Sequence, residues 1–207
     1  MALKYFTTRD WIALLSGLPP AGACLNVSSL QTLTGLSEKV VRQACWRLSN
    51  TGLLRPLGAG WYANSFRPVS LEEIGGLLLR PSYISLDFVL AAERVTTQPC
   101  RVLTCVTMKP TAKKETPLGS IEYRSIVRGL FWGFRQRRSP NGLTILEAEP
   151  EKALLDLIYL SRQVGEPIWI DIDFARIDPH KLNAYAARFP KTVQREIEPL
   201  RRRHEAA

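Results

Sequence analysis

The stretch from Leu30 to Ala63 constrains this chain most, because its spacing fits two short helices, a tight turn and a β-hairpin in that order. Ser28 and Gln31, three residues apart, predict a capping box opening the first helix, with Leu30 and Leu33 on its apolar side. Gly35 stands where a left-handed residue ends that helix. Ser37 is placed to cap a second helix, in which Val41, Ala44, Cys45 and Leu48 follow the i, i+3, i+4, i+7 rule. Gly52 closes it, and two short apolar pieces then flank Gly58-Ala59-Gly60, as a hairpin needs. An amphipathic segment with Trp11, Leu14, Leu15 and Leu18 is expected to pack underneath. This order of elements is that of a winged helix-turn-helix, which offers one helix to a DNA major groove.

The polar side of the second helix carries Glu38, Lys39, Arg42, Gln43 and Arg47. Arg reads guanine and Gln reads adenine bidentately, while Ser37 and Lys39 suit phosphate oxygens. Arg55 in the hairpin is expected to be a further phosphate contact. A merely solvated helix face would use the same residue types, so the charge distribution matters. The formal net charge is +9. Residues 1–67 hold seven Lys/Arg against two Asp/Glu, and residues 68–207 hold 21 against 17, so the excess is +5 in the short part and +4 in the long one. Counterion release from phosphates favours that concentration. A single small unit reads only a short site, so a dimer on repeats in the chain's own promoter is expected.

No apolar run is long enough to cross a bilayer. Lys4, the stretch Trp11 to Leu18 and Ala21-Gly22-Ala23-Cys24 faintly resemble a lipoprotein signal, but the stretch is short and Asp10 precedes it. A cytoplasmic chain with no membrane partner is expected. Cys24, Cys45, Cys100 and Cys105 form no CxxC pair, and the histidines, His180 and His204, lie far from them. That spacing suits reduced thiols rather than a zinc site, with Cys100 and Cys105 on opposite faces of one strand.

Asn64 to Pro68 reads as a linker between two domains, 1–66 and 69–207, in an α+β chain with a small sheet and C-terminal helices. Beyond it, helices are expected from Leu71 to Leu79, from Ser85 to about Arg94, and from Pro150 to about Val164, ended by Gly165. Strands are expected over Arg101–Met108, Ser120–Ile126, Leu130–Phe134 and Leu143–Glu147. Ile168 to Phe174 alternates strictly, so Ile168, Ile170, Ile172 and Phe174 would share one strand face and Asp171 and Asp173 the other. Two closing helices follow, Pro179–Phe189 and Thr192–Arg203.

Four runs in this second part carry a resemblance. They are Arg80-Pro81-Ser82-Tyr83-Ile84-Ser85-Leu86; Thr116-Pro117-Leu118-Gly119 leading to Ile121-Glu122-Tyr123-Arg124; Leu130-Phe131-Trp132-Gly133-Phe134; and Glu149-Pro150-Glu151-Lys152-Ala153-Leu154-Leu155-Asp156-Leu157-Ile158-Tyr159. In this order they resemble the antitoxin domain of AbiEi-family proteins, and with the helix-turn-helix the likeness spans about Leu30 to Tyr159. The resemblance implies an antitoxin of a type IV toxin–antitoxin system. Such an antitoxin represses its own operon and counteracts a nucleotidyltransferase toxin without a stable complex. It singles out Tyr83, Ser85, Tyr123, Arg124, Glu151, Lys152 and Asp156. Residue by residue, Tyr83 reads as a packing aromatic and Ser85 as an N-cap. Lys152 and Asp156 read as an exposed i, i+4 pair, or as an interaction face with Tyr159. Those two and the Arg135, Arg137, Arg138 cluster are expected to be the most exposed polar features.

Catalysis is not expected, and no cofactor is implied. Asp171 and Asp173 form a DxD without a Gly-Ser phosphate loop. Asp178 and His180 lack a nucleophile motif, and there is no GxGxxG or P-loop. A winged-helix regulator whose second domain senses a small molecule remains the alternative.

Overall fold

The computed structural model describes residues 6–165, 167–168 and 171–205, and shows a mixed α+β chain with two sheets. Helix α1 (Thr8–Gly17) opens with a capping box between Thr7 and Asp10. Strand β1 (Cys24–Asn26) leads into α2 (Val27–Thr34), then α3 (Glu38–Asn50) and a hairpin of β2 (Leu54–Gly58) and β3 (Trp61–Asn64). The α2 cap lies two residues before the expected one. Asn26 and Ser29 exchange the capping-box hydrogen bonds, so Ser28 and Gln31 do not. Leu33 is exposed rather than part of the apolar side. Gly35 takes the left-handed conformation (φ +69°) and its N–H donates to Gln31 O, as a helix stop requires. Val41, Ala44, Cys45 and Leu48 of α3 are buried against Trp11, Leu15 and Leu18.

The small sheet, in order β1-β3-β2, has two covered faces. Residues directly opposite one another share a face, and the pairs are Leu25 with Tyr62, Cys24 with Ala63, and Arg55 with Ala63. Leu25, Leu54 and Tyr62 pack on the helices α1–α3. Cys24, Leu57, Ala63 and Trp61 pack into the core of the larger sheet. The linker is tied down as well. Asn64 Nδ2 donates to Leu15 O (2.8 Å) and Gly22 O (3.2 Å), and the Arg67 guanidinium donates to Ser16 O and Leu18 O.

The larger sheet contains β4 (Ser82–Ile84), β5 (Leu103–Thr107), β6 (Ala112–Thr116), β7 (Gly119–Ser125), β8 (Phe134–Arg138) and β9 (Thr144–Ala148), in the order β6-β7-β5-β4-β9-β8. Helix α4 (Leu71–Leu78), capped by Ser70 and Glu73, covers the face of Ile84, Leu103, Cys105 and Tyr123; a Cβ on its Gly75 would lie 2.9 Å from Leu103. Tyr83 and Ser85 leave β4 on the other face, toward α5 (Asp87–Ala92) and α6 (Pro150–Val164). Helices α7 (Pro179–Ala186) and α8 (Lys191–Glu205) pack outside α6.

Leu130–Phe134 is not a strand: a 3-10 turn covers Arg128–Leu130, and β8 begins only at Phe134. Cys100 precedes β5 instead of lying on it, and all four thiols are free, three of them buried. Of the expected strand Ile168–Phe174, Ile170 lies outside the described residues. Residues 171–173 are irregular, and a 3-10 turn covers Phe174–Arg176. Ile172 is buried and Asp171 exposed, but Asp173 and Phe174 are both half-buried, so the expected alternation does not extend along the segment.

Candidate functional site

Two polar arrangements merit description, one on the surface of α3 and one buried beneath α6. Opposite the buried stripe of α3, Lys39, Gln43, Trp46 and Asn50 recur at i, i+4, i+7 and i+11 and form one outward ridge, all exposed. Ser37 occupies the N-cap position without a side-chain capping hydrogen bond, so its hydroxyl faces solvent at the head of this ridge. Arg42 flanks the ridge, and its Nε donates to Glu38 Oε1 at 2.7 Å. Both side chains are more than half exposed, so this i, i+4 pair is worth only a few tenths of a kcal/mol and a phosphate or guanine can displace it. Trp46, 67% exposed, was not singled out by the sequence reading, although counting residues around the helix places it at the centre of the polar side.

The remaining surface candidates diverge from that ridge. Arg47 lines a small cleft with Phe6, Thr8, Trp11, Leu48 and Thr51, on the side of α3 that meets α1. Arg55 stands opposite Ala63, so it leaves the hairpin on the face that meets the larger core, not on the face that carries α3. The structure thus brings Ser37, Lys39, Arg42 and Gln43 together and leaves Arg55 apart from them.

Lys152 and Asp156 are both fully buried, which overturns the expectation of an exposed pair. Their i, i+4 spacing on α6 lets Lys152 Nζ donate to Asp156 Oδ1. The Tyr83 hydroxyl (2.8 Å) and the Ser85 hydroxyl (2.9 Å) both donate to Asp156 Oδ2, and Lys152 Nζ donates to the Tyr83 oxygen at 2.8 Å. Ser85 is therefore a carboxylate donor and not an N-cap; Leu86 holds that position of α5. The ammonium also lies 5.2–5.4 Å from the ring centroids of Tyr83, Trp132 and Phe189, a cation–π distance. Tyr83 stacks on Phe134 and meets Phe131 edge-on. Burial pushes the Asp156 carboxyl up and the Lys152 ammonium down, and the mutual ion pair opposes both movements. Burial likewise holds the Tyr83 phenol protonated, with the Asp156 charge acting in the same sense.

The other motif residues support this centre or lie beyond it. Glu151 is buried, and its Oε1 accepts from the Asp178 N–H at 3.0 Å. The Tyr123 hydroxyl donates to Gly75 O at 2.7 Å and fixes α4 to the sheet. Arg124 lines a surface groove with Glu122, Leu160 and Val164. Arg135 and Arg137 are not free surface cations: Arg135 pairs with Glu93, and Arg137 pairs with Glu72 and Glu147. Arg138 binds Gly142 O.

Of the carboxylates weighed for catalysis, Asp171 is exposed, and the other two have local partners. Asp173 accepts from Ala175 N–H and pairs with Arg176, and Asp178 caps α7 through the N–H groups of His180 and Lys181. Among the described residues no group of three His, Cys, Asp or Glu gathers as a metal-ligand set, and no helix is long and apolar enough to cross a membrane. A scan against protein-family models finds no match for this chain, and a search of curated proteins finds none.

Proposed function

We propose that the first 66 residues form a winged helix-turn-helix that binds double-stranded DNA through α3, and that the chain is an autorepressing antitoxin of a type IV toxin–antitoxin system. The observation that carries the DNA reading is the α3 ridge. It gathers a solvent-facing N-cap hydroxyl, a lysine, a glutamine and a weakly held arginine, within residues 1–67, whose net charge is +5 against +4 for residues 68–207. The antitoxin reading rests on the resemblance alone. It gains physical sense from the fact that the YIS and EKALLD runs, about seventy residues apart, meet in one hydrogen-bonded centre. Asp156 and Lys152 in this reading organise the antitoxin fold rather than touch a partner.

Two assays test it. A duplex of the chain's own promoter should be retarded at nanomolar protein and released as salt rises. Co-expression with a neighbouring nucleotidyltransferase gene should restore growth that this gene alone arrests. A promoter duplex bound no better than random DNA removes the first half, and unrelieved arrest removes the second.

One observation favours the alternative of a ligand-responsive regulator. Strands β4 and β9 are neighbours joined at a single residue pair, Ile84 with Glu147. Ahead of it they part around a groove of about 480 Å³, lined by Leu77, Tyr83, Ile145 and Leu146, with Arg80 and Arg138 among its residues. A neighbouring gene that is harmless when expressed alone would shift the balance to that reading.

A further inference from the structure

We infer that Trp46 is a specificity residue that reads the C5-methyl group of a thymine in the major groove; this rests on the DNA reading of α3. Trp46, 67% exposed in the middle of α3, is the largest apolar side chain so exposed among the described residues, and it stands on the same face as the polar Lys39 and Gln43. It stands one turn beyond Gln43 and two beyond Lys39 on the same ridge. A helix seated so that Gln43 meets an adenine edge carries Trp46 to an adjacent base pair. There the only apolar feature of the groove is the thymine methyl. The surroundings select DNA over a second copy of the chain. A symmetric contact through this ridge would gather Lys39 and Arg42 of both copies in one interface, while the one acidic neighbour, Glu38, is already held by Arg42. Trp46 makes no contribution to the core beneath α3, so its removal leaves the fold intact.

The experiment begins with wild-type protein selecting duplexes from a randomised pool. The best duplex is then made again with deoxyuridine replacing each thymidine singly, which deletes one methyl and nothing else. Burying one methyl-sized group is worth about 0.8 kcal/mol, or about fourfold in affinity. Wild type should therefore weaken about fourfold at one position, while Trp46→Ala and Trp46→Gln bind the thymidine and deoxyuridine duplexes equally. The variants should also match wild type on a non-specific duplex. If wild type ignores every replacement, or Trp46→Ala keeps the same discrimination, the inference is wrong while DNA binding stands. If the pool yields no enriched sequence, base reading by α3 fails, and the inference with it.

Discussion

Replacing Lys152 by Met keeps the length of the side chain and removes its charge from a site with no solvent. Asp156 would retain the hydroxyls of Tyr83 and Ser85 but lose its ammonium partner. Removing one member of a buried pair costs about 3–5 kcal/mol, against about 0.3–0.5 kcal/mol for an exposed pair at the same spacing. The lower figure of 3 kcal/mol is already a large share of the total of about 5–15 kcal/mol that holds a domain folded. The double variant Lys152→Met/Asp156→Asn removes both charges while an amide oxygen still accepts from Tyr83 and Ser85, so it should be more stable than Lys152→Met alone. The pH dependence has a definite sign. In Lys152→Met, the burial that raises the Asp156 carboxyl acts with no ammonium to oppose it. A raised folded pKa means stability that is fully present below the unfolded pKa of about 3.9 and lost as pH rises through the folded value. The deficit of Lys152→Met should therefore widen from about pH 4 toward neutrality. Urea unfolding of the full chain, followed by circular dichroism across that range, measures it. A loss under about 1 kcal/mol at pH 7, or a double variant less stable than the single one, would refute the buried-pair account.

Two further perturbations follow from the same packing. Gly133 has φ +76°, and a Cβ there would lie 2.9 Å from Lys152 Cγ, so Gly133→Ala should cost about 2 kcal/mol or more; an unchanged melting temperature would contradict it. Deleting residues 1–66 strips Cys24, Leu57 and Ala63 from the core of the larger sheet. The fragment should melt below the full chain and bind an apolar dye, and a fragment as stable as its parent would show that the two units pack independently.

Local signals were legible and long-range ones were not. Gly35, Pro150 and Gly165 announce helix ends through conformations set by their own backbone, and each occupies the place its chemistry suggests. The spacing of Lys152 and Asp156 is the same for a surface pair and a buried one, and only Tyr83 and Ser85, distant in sequence, decide which it is. A clue was present in Ala153, Leu154, Leu155 and Ile158, which leave α6 apolar on most of its circumference, as a helix covered on all sides must be. Strand β6, AKKET, carries no strand signal in the sequence because an edge strand is protected by charges that erase the apolar alternation. Arg55 reads as a wing contact in the sequence, and only its register with Ala63 fixes its face. A single residue of slip would have turned it over.

The α3 ridge is tested most directly by comparing Arg42→Ala with Arg55→Ala on one promoter duplex, using fluorescence anisotropy at fixed salt. Arg42 stands beside the outward ridge, and its loss should weaken binding by about 1–3 kcal/mol, roughly five- to 150-fold. Arg55 leaves the other face of the hairpin, and its loss should change affinity by no more than about twofold, the scale of a distant surface charge. The reverse order, with Arg55→Ala crippling binding and Arg42→Ala matching wild type, would contradict the assignment of α3 as the DNA-reading element.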